Sequence, residues 1–62
     1  MSLVVDLTLD EGVIVIRCMS ENVGISAINA LPGGGSRVTC TTGDGAARIR
    51  RKLKRYLIAD TQ

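Results

Sequence analysis

The 62-residue chain contains no histidine, tryptophan or phenylalanine, and only one tyrosine (Tyr56), one proline (Pro32) and two cysteines. Without histidine, neither a Ser–His nor a Cys–His nucleophilic couple can be built. Two thiols and no imidazole cannot supply the four ligands of a structural zinc site, so no metal or other cofactor is expected. Two cysteines are also too few for a disulfide framework. Cys18 and Cys40 fall at inward positions of expected strands, where small buried thiols act as core residues. The single aromatic residue argues against a platform on which unpaired bases stack, and it leaves the core aliphatic. No apolar run approaches the roughly 18 residues that a membrane span requires. The first residues lack the basic segment of a secretory signal. From these features we expect a complete, small cytoplasmic protein, 1–62 as one domain, with no membrane association.

Catalysis is not expected. Asp6, Asp10 and Glu11 are the nearest approach to an acid–base set. Asp10 and Glu11 read as a solvated turn, which lacks the desolvation that tunes such pairs. The glycine-rich "PGGGS" precedes a strand rather than a helix, so its amides do not form a phosphate loop. "TTGDGAAR" does run from strand to helix, but Asp44 would occupy the amides that an anion needs. Turn geometry accounts for both.

What is present is an alternating start, "LVVDLTLDEGVIVIRC". Leu3, Val5, Leu7 and Leu9 alternate with Val4, Asp6, Thr8 and Asp10, the period of a half-buried strand. A Glu11-Gly12 turn followed by the β-branched run 13–16 predicts an N-terminal β-hairpin. A two-residue loop would place Leu9 opposite Ile14, Leu7 opposite Ile16, Val5 opposite Cys18 and Asp6 opposite Arg17. A three-residue loop with Gly12 in a bulge would pair Leu9 with Val13 instead. Residues 20–31 fit either a short helix capped by Ser20 or a strand alternating through Val23, Ile25 and Ala27, with a lean towards helix. "LPGGGS" is a turn. Residues 36–42 predict a strand with Val38 and Cys40 inward. Asp44 is the expected N-cap of a helix over 45–59.

The expected fold is therefore α+β: a small antiparallel sheet of three or four strands, with one amphipathic C-terminal helix on one face. Ala46, Ile49, Leu53, Tyr56 and Leu57 form the apolar side of that helix. The other sheet face, with Val4, Val13 and Val15, is apolar enough to suit a homodimer interface.

Charge is distributed unevenly. Residues 1–36 carry a balance of −3 and residues 37–62 a balance of +5. "RIRRKLKRY", residues 48–56, holds six of the eight basic residues. On a continuous helix, Arg48, Arg51, Lys52 and Arg55 share one stripe, with Arg50 and Lys54 on the far flank. The like-charge neighbours would cost about 1–3 kcal/mol in total. That is large beside the roughly 3–5 kcal/mol that a core of this size supplies. A solvated face with no other role would mix signs. The pattern predicts an acidic partner: the backbone of duplex or structured nucleic acid, an acidic protein surface, or the chain's own second copy.

Overall fold

The computed structural model describes residues 2–58 and contains three strands and two α-helices. In chain order these are β1 (Val4–Leu7), α1 (Glu11–Ser20), β2 (Ile25–Ala30), β3 (Ser36–Cys40) and α2 (Gly43–Lys52), followed by a 3-10 turn over Lys54–Tyr56. The sheet order is β1-β3-β2, with β3 antiparallel to both neighbours. β1 and β2 are therefore parallel to one another and held apart by β3. α1 is the crossover that this parallel relationship demands.

The expected N-terminal hairpin is thus not formed. Residues 11–18 are helical, and Val5 and Asp6 pair instead with Val38 and Arg37 of β3. Tertiary burial overrides the weak helix propensity of the β-branched run. Ile14 and Cys18, four residues apart, turn to one side of α1 and are fully buried. Asp10, extended with φ −67° and ψ 157°, is the N-cap of α1 rather than part of a hairpin tip.

The C-terminus of α1 closes in a Schellman arrangement. Val23 donates to the Cys18 carbonyl at 2.8 Å and Asn22 to that of Met19 at 3.1 Å. Asn22 has φ 61°, the left-handed conformation that this motif requires. Val23 and Cys18, both buried, supply the apolar contact that accompanies it.

Within 20–31, the helical reading gives way to the strand β2. Its register to β3 shifts between Ile25 and Ala27, which marks a bulge at Ser26. The "LPGGGS" turn is confirmed as the β2–β3 connection, with Leu31 N–H bonded to the Gly35 carbonyl at 3.0 Å. Gly35 has φ +81°, and a β-carbon there would collide with the Leu7 carbonyl oxygen. Only glycine fits that site.

α2 is shorter than expected. It ends at Lys52, with Leu53 as C-cap, and the expected end at residue 59 lies outside the described residues. Thr42, not Asp44, caps its N-terminus, its Oγ1 accepting from Gly45 N–H at 3.0 Å. Asp44 stands within the first turn, where a carboxylate favours the helix dipole.

Val5 and Leu7 from β1, Val38 and Cys40 from β3, Ile14 and Cys18 from α1, and Ala46, Ile49 and Leu53 from α2 form one buried cluster. Both helices consequently cover the same sheet face. After the 3-10 turn the chain returns along β1. Leu57 bridges Leu7, Thr8 N–H donates to the Tyr56 carbonyl at 2.8 Å, and Ile58 N–H to that of Asp6 at 3.1 Å. The expectation of three or four strands resolves as three, plus this short bridge along β1.

Candidate nucleic-acid interface

α2 presents its charge because of where its apolar residues fall. Ala46, Ile49 and Leu53 are buried against the sheet. At about 100° per residue, Arg48, Arg51 and Lys52 must then lie on the outer half of the helix. Leu53 ends the helix while staying buried, so Lys52 and Lys54 emerge on either side of an anchored residue.

The six basic residues divide into two groups. Arg48 Nη1 donates to the Glu21 carbonyl at 3.1 Å. Glu21 is the C-cap of α1, so this guanidinium ties α2 to the negative end of the neighbouring helix dipole. Arg50 Nη2 donates to the carbonyls of Ser2 at 2.8 Å and Val4 at 2.9 Å. Arg51, Lys52, Lys54 and Arg55 are exposed, and none of them forms an ion pair with another described residue. These four cations, within five consecutive positions, surround the C-terminal end of α2.

The stripe does not have the helical spacing expected of it. Arg55 stands in the 3-10 turn beyond the C-cap, not one turn further along α2. The electrostatic cost is correspondingly lower. Arg50, Arg51 and Lys52 occupy the last helical turn, where the dipole favours each cation by about 0.3–1 kcal/mol.

One ion pair occurs among the described residues. Arg37 Nε and Nη2 donate to the two carboxylate oxygens of Asp6 at 2.8 and 3.1 Å. This bidentate hydrogen bond, reinforced by the charge, holds the Asp6 carboxyl below its ordinary range. The pair corrects the expected Asp6–Arg17 partnership, because Arg17 lies on α1. Asp6 and Arg37 face away from both helices, in register with each other and with Asn29 of β2.

The three valines of the expected dimer face are separated. Val4 belongs to the open sheet face, whereas Val13 and Val15 lie on α1, across the sheet from it. Cys18 and Cys40 are fully buried thiols, Cys40 from the expected strand and Cys18 from α1 rather than from a strand. Burial pushes both up from the ordinary thiol value.

Two features have no counterpart in the sequence reading. One is the edge-capping role of Arg50, for which no local signal exists. The other is the outer side of α1, where Ile16 and Met19 are 67% and 73% exposed. The apolar run "VIVIRCM" carried that signal, since a helix of this composition is apolar on more than one side. No helix among the described residues is long and apolar enough to cross a membrane. No protein-family model, curated protein or solved structure matches the chain.

Proposed function

We propose that the chain is a small non-enzymatic binding module that grips the backbone of duplex or structured nucleic acid through the end of α2. The observation that carries this reading is the cluster of Arg51, Lys52, Lys54 and Arg55. All four are exposed, and none is paired with another described residue. Guanidinium and ammonium groups neutralise phosphates through charge and need no base-specific geometry. Arg48 and Arg50, bound to the protein's own carbonyls, leave the proposed contact set and become supports for it.

The runner-up is an acidic protein surface, which the same cations would meet equally well in charge. Competition separates the two. Fluorescence anisotropy of a labelled random-sequence duplex at low salt should rise on titration with the protein. Unlabelled duplex should reverse it, while poly-glutamate at equal charge concentration should not. A protein that leaves the duplex unbound but binds the acidic polymer supports the runner-up and removes the first reading.

A further inference from the structure

The two edges of the sheet are treated differently. On β1, the outer carbonyls of Val4 and Asp6 accept from Arg50 and Ile58, and the Thr8 amide donates to Tyr56. β2 forms the other edge, and its sequence "ISAINA" contains no charge and no proline. Natural edge strands are guarded by charge, proline or a bulge. On β2 the bulge at Ser26 is the one such guard, and Ala27–Ala30 beyond it pair regularly with β3.

α1 packs mainly over β2. Crossovers between parallel strands such as β1 and β2 are right-handed as a rule, and the placement of α1 follows from that hand. Rotation of about 100° per residue away from the buried Ile14–Cys18 seam then sets Val15 and Met19 on the flank above the β2 edge. Ile16 points directly away from the sheet. From Val15 round to Val13, an arc of about 160° on α1 contains no charged residue. Apolar residues on the outer side of a helix signal a missing partner more strongly than scattered exposure does.

We infer that the β2 edge and the adjacent flank of α1 form a self-association surface, and that its occupant is a second copy of this chain. Antiparallel pairing of β2 with its symmetry mate would build one continuous six-stranded sheet about a two-fold axis. Met19 and Val15 of one copy would then lie against their counterparts. Self-complementarity rather than charge selects this occupant: an edge strand pairs with its own symmetry mate about a two-fold axis, and the exposed Glu11, one turn before Val15, is the one charge on this flank of α1. Closure at two copies follows from the sheet, because Arg50 and the 57–58 segment block the β1 edge against a third. A whole side of a body measuring 27 × 25 × 19 Å bounds the interface at roughly 500 Å² per copy, so two copies reach at most the roughly 1,000 Å² at the lower end of specific interfaces.

This inference is independent of nucleic-acid binding. Sedimentation equilibrium from low to high micromolar concentration should show a monomer–dimer transition. Met19→Lys changes a side chain that is 73% exposed, so the fold should persist by circular dichroism while self-association weakens about tenfold or more. Backbone amides of Ile25–Ala30 should exchange more slowly in the wild-type dimer than in the Met19→Lys protein. A wild type that stays monomeric throughout would overturn the inference. So would a dimer that survives Met19→Lys with unprotected β2 amides, or one broken only by Val4→Lys on the open sheet face.

Discussion

The Arg50 guanidinium, carried on α2, reaches the outer edge of β1 and donates to the Val4 carbonyl at 2.9 Å. With its second bond to Ser2, it satisfies edge carbonyls that no strand covers at that point. A residue from the most basic stretch of the chain is therefore part of the scaffold. Arg50→Ala should cost about 1–2 kcal/mol, because hydrogen bonds from a charged donor are lost and their acceptors return to water. In so small a domain that lowers Tm by roughly 5–15 °C. Thermal denaturation checks this, and Arg51→Ala is the control, expected to change Tm little.

Gly35 is held at φ +81°, with its α-carbon against the Leu7 carbonyl. Gly35→Ala should destabilise by about 2 kcal/mol or more, from left-handed strain and steric collision together. Gly33, in the same turn, has open space where a β-carbon would stand. Gly33→Ala should fold with near-wild-type stability. Urea denaturation of the two variants gives the comparison directly.

Acid should release the Asp6–Arg37 pair. The folded-state value of Asp6 lies below its unfolded value, so its stabilising contribution is complete above the unfolded value. That contribution is lost as pH falls through the folded value, below about pH 4. Asp6→Asn should melt at a lower temperature than wild type near neutrality. The difference between the two should shrink as the solution is acidified, because wild type then loses the charge that the variant already lacks. Melting curves at several pH values would show convergence, and parallel curves would contradict the assignment.

Cys18 and Cys40 are fully enclosed by the core, and burial raises both above the ordinary thiol value. Thiolate is the reactive species. Both residues should therefore resist a disulfide-exchange reagent in the native protein and react together on unfolding. Labelling kinetics in increasing urea should track global unfolding, with no fast fraction at zero denaturant.

The legible parts of the fold are those in which local signals and burial agree. Residues 36–40 alternate inward and outward as strand residues do, and "LPGGGS" turns because glycines adopt φ values closed to other residues. The apolar face through Ala46, Ile49 and Leu53 emerged from helical spacing alone. Residues 11–20 were not legible, because "VIVI" fits a strand by composition while its role is set by topology. Asp10 as N-cap and Asn22 with Val23 as terminator mark the helix, but the four consecutive β-branched residues between them favour a strand by propensity. Once α1 is a helix, β1 needs a different neighbour, and the pairing of Asp6 passes from Arg17 to Arg37. The basic run was visible as charge, but its division was not. Whether an arginine reaches solvent or a carbonyl 46 residues away depends on three-dimensional placement.

The central claim is that the four exposed cations at the end of α2 bind nucleic-acid phosphates. The most direct measurement is the salt dependence of duplex affinity for wild type and single alanine variants. Four phosphate contacts predict a slope of log affinity against log salt of about −3.6 per protomer. Arg51→Ala, Lys52→Ala, Lys54→Ala and Arg55→Ala should each reduce its magnitude by about 1. Arg48→Ala and Arg50→Ala should leave it unchanged wherever the variant remains folded. A wild-type protein that does not bind duplex at low salt, or a slope that these four substitutions leave intact, would contradict the account.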